Sequence, residues 1–167
     1  MNLEKAVDIK FMTIYRELAT EYPNILPEAI ESSLQFKTIA AQILTKRDEL
    51  FNSFGVTSGR FHLLMILKVE SSRALSPSEL AKRTNVTRAT MTQFVDALEK
   101  EEYVKRTDDP KDRRGMLVKL TQKGADKLNE IMPHYVERMS NFTSCLTKEE
   151  RGQLHIIMNK IHSSFYV

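Results

Sequence analysis

Between Thr87 and Lys100 this 167-residue chain concentrates side chains that can hydrogen-bond to, or pack against, flat heteroaromatic edges. Met91, Phe94, Val95 and Leu98 recur three and four residues apart, the spacing of one apolar stripe on a helix. At about 100° per residue, the face opposite that stripe carries Ala89 and Gln93, with Thr90 and Thr92 on its flanks and Arg88 at the helix mouth. Gln can pair bidentately with adenine, Ala and Thr methyls can meet a thymine methyl, and Arg can reach guanine or a phosphate. Short neutral and basic groups on one such face are the composition of a helix that enters a DNA major groove. The alternative is an ordinary solvated helix of an αα-hairpin. The neighbouring stretches weigh between the two.

Upstream, Ser76-Pro77-Ser78-Glu79 places a hydroxyl at an N-cap, a proline at the first helical position and a glutamate three residues on, which predicts a capped helix start. Asn85 tolerates the left-handed backbone of a tight interhelical turn, and Thr87 caps the second helix. Downstream, Tyr103-Val104-Lys105-Arg106-Thr107 and Met116-Leu117-Val118-Lys119-Leu120 alternate as short strands. Between them Asp108-Asp109-Pro110-Lys111-Asp112-Arg113-Arg114-Gly115 has no apolar residue to bury and reads as a loop. A charged hairpin after such a helix is a wing. Arg113 and Arg114 suit the negative potential of a narrow A·T minor groove, and Lys105, Arg106 and Lys111 suit phosphates. Read blandly, a charged hairpin tip is simply solvated.

Together these residues resemble the MarR family of bacterial winged-helix regulators. The resemblance is carried by Leu75-Ser76 with Ser78-Glu79-Leu80-Ala81, by Val86-Thr87-Arg88-Ala89-Thr90, by Val95-Asp96 with Leu98-Glu99, and most of all by the run Asp112-Arg113-Arg114-Gly115-Met116-Leu117-Val118-Lys119-Leu120-Thr121. It extends over roughly residues 30 to 165. It implies a homodimeric DNA-binding transcriptional regulator in which Arg114 enters the minor groove and Asp112 helps hold the wing. It also implies a small aromatic or anionic effector in a cleft between the dimerisation helices and the winged lobe, where Phe36, Phe61 and Met65 are candidate lining residues; the same residues also read as plain core. Asn85 stands where the family often has glycine, and the N-terminus carries extra residues.

The remaining elements must position that unit. Leu3, Val7, Phe11, Ile14 and Leu18 predict an amphipathic helix over residues 1–21, broken at Tyr22-Pro23-Asn24. Its polar face mixes Glu4, Asp8 and Glu17 with Lys5, Lys10 and Arg16, which argues against a membrane-surface helix. A longer helix from Glu28 to Phe51 is apolar enough to be mostly covered. Thr121 is expected to cap a helix running to about Cys145, with a kink at Pro133 and a seam through Ala125, Leu128, Met132, Tyr135, Met139, Phe142 and Leu146. Thr147-Lys148-Glu149-Glu150 opens a last helix with Leu154, Ile157, Met158, Ile161 and Phe165 on one side, antiparallel to the one before.

The expected fold is therefore mostly α with a small β-hairpin wing. Residues 1–25 form an N-terminal helical extension, 26–57 a dimerisation helix, 58–121 the winged helix-turn-helix lobe and 122–167 the C-terminal dimerisation helices, all in a single intertwined domain. A twofold pair of such lobes holds recognition helices about 34 Å apart, one DNA turn, and predicts a palindromic operator.

Composition narrows the alternatives. The net charge is +3, but residues 73–127 hold 13 Lys+Arg against 9 Asp+Glu, a net of +4, and the remainder 12 against 13, a net of −1. The basic excess sits on the proposed DNA-binding segment. The five glycines are scattered, so no phosphate-cradling loop or catalytic motif is present, and neither an enzyme nor a cofactor is expected. His62, His134, His155 and His162 do not fall at metal-ligand spacing, and no metal site is predicted. The lone Cys145 fits a reducing compartment and reads as a small apolar filler rather than a redox switch. No apolar run approaches the length a bilayer needs, so a cytoplasmic location is expected. Two rivals stay open: a winged-helix protein-interaction module without DNA binding, and a metal- or redox-responsive version of the same regulator.

Overall fold

The computed structural model describes residues 9–22, 24–71, 74–110 and 112–166, and of residues 9–11 and 112–114 the backbone only. Seven helices and one hairpin follow in the order α1 (Ile9–Glu21), α2 (Pro27–Ser53), α3 (Ser58–Val69), α4 (Pro77–Thr84), α5 (Arg88–Lys100), β1 (Val104–Asp109), β2 (Asp112–Leu120), α6 (Gln122–Asn141) and α7 (Lys148–Ser164). The chain divides into two units, residues 1–48 and 49–167, with the boundary inside α2.

In the first unit Met12 is buried, whereas Phe36, Ile39 and Leu44 on α2 stay exposed. The expectation that this helix is mostly covered is therefore not met within the chain. The apolar stripe is there, but it has no complementary face inside its own unit. Leu3 and Val7 of the expected first helix, and Pro23 of its break, lie outside the described residues.

The second unit is built around one apolar cluster. Phe51 at the end of α2, Phe61 and Leu64 on α3, Leu80 on α4, Met91, Val95 and Leu98 on α5, Val104 and Val118 on the strands, and Leu128 and Ile131 on α6 all lie buried in it. Phe51, Phe61 and Tyr135 form a ring trio, with centroids 4.5 Å apart for Phe51 and Phe61 and 5.1 Å for Phe61 and Tyr135. Packing at this density leaves the site-bearing elements little freedom to shift independently.

One expectation is corrected at the C-terminal end. α6 stops at Asn141 instead of near Cys145, and residues 142–146 form turns, so Phe142 and Leu146 leave the seam. Ile131, outside the predicted seam, is fully buried. Pro133 is accommodated inside the helix. No residue of α7 is buried: of the predicted stripe Leu154 is half-buried and Ile157, Met158, Ile161 and Phe165 are exposed.

Candidate nucleic-acid interface

Local chemistry fixes the helix pair. Ser76 Oγ accepts the Glu79 N–H at 3.3 Å while the Ser76 N–H donates to Glu79 Oε2 at 3.0 Å, which closes the predicted capping box around α4. Asn85 ends α4 in the left-handed region, with φ 53° and ψ 45°, and the Val86 N–H donates back to the Ala81 carbonyl at 3.1 Å. Thr87 then caps α5, its Oγ1 accepting the Thr90 N–H at 3.1 Å. The turn predicted from Asn85 and Thr87 is the turn observed.

Packing sets the roll of α5. Met91, Val95 and Leu98 are fully buried, and the ring of Phe94 rests on Gly59 of α3 so closely that a Cβ there would lie 2.5 Å from it. Rolling the helix would expose the stripe and drive Phe94 into the α3 backbone. With that face pinned, Arg88, Ala89, Thr92 and Gln93 are exposed, and Thr90 is half-buried. Four of the five predicted readers thus share an open face, and the fifth borders it. Their hydrogen bonding differs. Thr92 Oγ1 donates to the Arg88 carbonyl at 3.0 Å, and Thr90 Oγ1 lies 2.8 Å from Thr87 Oγ1. Among the described residues the Arg88 and Gln93 side chains have no hydrogen-bond partner.

The hairpin follows directly. Strand β1 pairs antiparallel with β2, Val104 opposite Leu120, Lys105 opposite Lys119, Arg106 opposite Val118 and Asp108 opposite Met116, with a register shift before Asp109 opposite Asp112. The expected loop over residues 108–115 is therefore mostly strand, because backbone pairing needs only N–H and C=O groups and continues through charged, solvated positions. Leu75 adds a bridge, donating to the Val118 carbonyl at 3.1 Å and accepting the Val118 N–H at 2.8 Å, so the segment before α4 is tied to the wing. Lys111 lies outside the described residues, as do the side chains of Asp112, Arg113 and Arg114.

Arg106, predicted as a phosphate ligand, has partners inside the protein. Its guanidinium is bound by the carboxylates of Asp96 and Glu99 on α5, and its backbone N–H donates to Glu99 Oε1 at 3.1 Å. The hydrogen bond that the guanidinium donates to Asp96, with the Glu99 charge behind it, holds the guanidinium above its ordinary range despite partial burial. The first strand of the wing is thus clamped to the helix that carries the candidate readers.

Sequence reasoning did not single out Lys119. The strand register places it directly opposite Lys105, both exposed. Like charges fixed directly opposite across a strand pair repel, and an anion between them relieves that repulsion. The pairing register was the missing signal.

At the other predicted positions, Phe36 is 50% exposed on α2, Phe61 is fully buried and offers no surface to a ligand in this arrangement, and Met65 is half-buried against the core. Among the described residues no group of three or more His, Cys, Asp or Glu could hold a metal ion, and none of the helices is long and apolar enough to cross a membrane. Cys145 is exposed in the turn after α6, so it does not fill an apolar gap as expected.

Residues 56–116, which run from the turn before α3 into β2, match the sequence model of the MarR family. The HTH-type transcriptional repressor YetL of Bacillus subtilis (strain 168) is 30% identical over 148 residues, 87% of this chain and 89% of that protein. The HTH-type transcriptional regulator PapX of Escherichia coli is 31% identical over 124 residues, 74% of this chain and 76% of its own. Among solved structures, a MarR family transcriptional regulator from Streptomyces coelicolor in complex with DNA superposes with a TM-score of 0.70 at 27% identity, over 83% of this chain and 86% of that one.

Proposed function

This chain belongs to the MarR family, and from that premise we propose that it acts as a homodimer that binds a palindromic DNA operator and represses transcription until a small aromatic or anionic effector releases it. Members of the family are regulators of transcription and not enzymes. The observation that carries the reading is the roll of α5, which turns Arg88, Ala89, Thr92 and Gln93 outward beside a clamped basic hairpin. Arg88 and Gln93 are the polar readers of base edges in the major groove, and Ala89 and Thr92 supply methyls. Arg114 enters the minor groove from the wing while Asp112 holds the wing in place, and Lys105, Lys111, Arg113 and Lys119 neutralise phosphates. Arg106 positions the wing instead of touching DNA.

The exposed apolar faces of α2 and α7 support the dimer, since a second copy gives them a surface to bury. The effector and a cytoplasmic location rest on the family alone. Selection of bound sequences from a random DNA pool, followed by affinity measurements across a salt series, tests the proposal. The expected result is an enriched inverted repeat with half-sites about one turn apart and log affinity falling steeply with log salt. Weak binding that is alike for all sequences would favour the protein-interaction module instead.

A further inference from the structure

On the recognition helix the polar groups are unequal, and the inequality predicts part of the operator. Thr92 is exposed beside Gln93, yet its hydroxyl hydrogen is spent on the Arg88 carbonyl one turn back, at 3.0 Å. A threonine whose Oγ1 bonds the carbonyl four residues earlier has its side-chain rotamer set by that bond, with the methyl on the other branch of Cβ. The hydroxyl therefore has no hydrogen left to donate to guanine N7 or O6, or to thymine O4. What Thr92 still offers the groove is a methyl and, on its engaged oxygen, acceptor lone pairs alone. Ala89, three residues earlier on the same open face, offers another methyl. Thr90, half-buried, has its hydroxyl within 2.8 Å of the Thr87 hydroxyl, so it too is engaged at the cap. On the side of the Gln93 amide toward the start of the helix, Ala89 and Thr92 thus present methyl groups, and the major-groove feature that complements a methyl is the thymine C5-methyl.

We infer that Thr92 reads a thymine through its methyl and not through its hydroxyl, so that each half-site carries a thymine whose C5-methyl packs on this side chain. The inference rests on the proposed DNA-binding function and deepens it, naming one base and the atom of it that is recognised. The free Gln93 amide reads a neighbouring adenine by its N6 and N7, so an adjacent A and T are expected in the half-site.

The test uses the full-length protein and an operator obtained by selection, with deoxyuridine replacing thymidine one position at a time. This removes the methyl and leaves every hydrogen-bonding atom in place. One thymine per half-site is expected to lose about three- to fivefold in affinity, the magnitude of one methyl returned to water. Thr92→Val, which keeps a methyl and lacks the hydroxyl, should show the same loss, about three- to fivefold, when uracil replaces that thymine. Thr92→Ser, which keeps the hydroxyl and lacks the methyl, should bind more weakly and be indifferent to uracil at that position. The inference is overturned if every uracil substitution is neutral, if Thr92→Ser retains the full loss (the methyl contact then belonging to Ala89), or if Thr92→Val becomes indifferent to uracil at that position. Failure of the underlying reading looks different: no sequence is enriched at all, and both the proposed function and this inference then fall together.

Discussion

The guanidinium of Arg106 on β1 is held by the carboxylates of Asp96 and Glu99 on α5, with the Arg106 backbone N–H bound to the same Glu99. One cation so joins the wing to the helix that carries the candidate readers and offsets half of the negative charge of two carboxylates on a helix proposed to lie against phosphates. Arg106 is only 26% exposed, which spares the contact part of the screening that weakens surface ion pairs.

Arg106→Ala should lower operator affinity by about tenfold or more, through freed carboxylates and a loosened wing, while costing folding stability only roughly 1 kcal/mol. Adding Asp96→Asn and Glu99→Gln should recover part of the affinity, because repulsion is removed although the clamp stays broken. Titration of labelled operator with each purified variant checks this. A single variant that binds normally would show that the clamp has no part in recognition.

Gln93→Ala should relax sequence preference at one position per half-site by about 1–3 kcal/mol and leave the salt dependence unchanged, since the amide contacts a base and not a phosphate. Arg114→Ala should weaken binding to all sequences strongly. Competition between single-base operator variants separates the two effects. Unchanged preference in the Gln93 variant would place its side chain away from the bases.

Glu102 sits between α5 and β1 with φ 62°, a left-handed conformation that costs a non-glycine residue about 1 kcal/mol. Its carboxylate pairs with Lys123 at 2.8 Å, but both groups are well exposed. Glu102→Gly should therefore raise stability by roughly 1 kcal/mol in urea unfolding, the backbone term outweighing the lost pair. A net loss would give the larger weight to the Lys123 pair.

Gly124→Ala should have the opposite effect. A Cβ at Gly124 would lie 2.0 Å from the Tyr103 carbonyl oxygen, which also accepts the Thr121 N–H at 3.1 Å and Oγ1 at 3.0 Å. The junction between β1 and α6 would have to open, at about 2 kcal/mol or more. Gly152 on α7 meets nothing within 4 Å, so Gly152→Ala should stabilise by roughly 0.5–1 kcal/mol. Thermal unfolding of the two variants should move in opposite directions.

Glu150 in the α7 capping box accepts the Thr147 N–H at 2.7 Å, and this bond, followed by the Thr147 hydroxyl, holds its carboxyl below the ordinary glutamate value. The folded pKa is the lower one, so the unfolded chain binds more protons and stability rises with pH through that window. The cap contributes fully above the ordinary glutamate range and is lost as pH falls through the depressed value. NMR titration of the Glu150 carboxyl and the Thr147 amide should give one shared midpoint below the ordinary range; a midpoint at or above it would contradict the box.

By itself the sequence determined the parts whose forces act within one helical turn. The hydroxyls of Ser76, Thr87, Thr121 and Thr147 cap helices where their positions predict, Asn85 turns left-handed, and Met91, Val95 and Leu98 bury the stripe that their spacing draws. These contacts join residues three or four apart, so local composition suffices to read them. Tertiary structure alone decided the rest. Arg106 finds Asp96 ten residues away and Lys105 finds Lys119 across the hairpin, while Gly124 is required by a carbonyl on another element. Each depends on strand register and helix roll, which the whole apolar cluster sets by filling its volume, and no local pattern of residues encodes them. The open faces of α2 and α7 mark a similar limit: periodicity says that a stripe will be buried, but the surface that buries it belongs to whatever packs there.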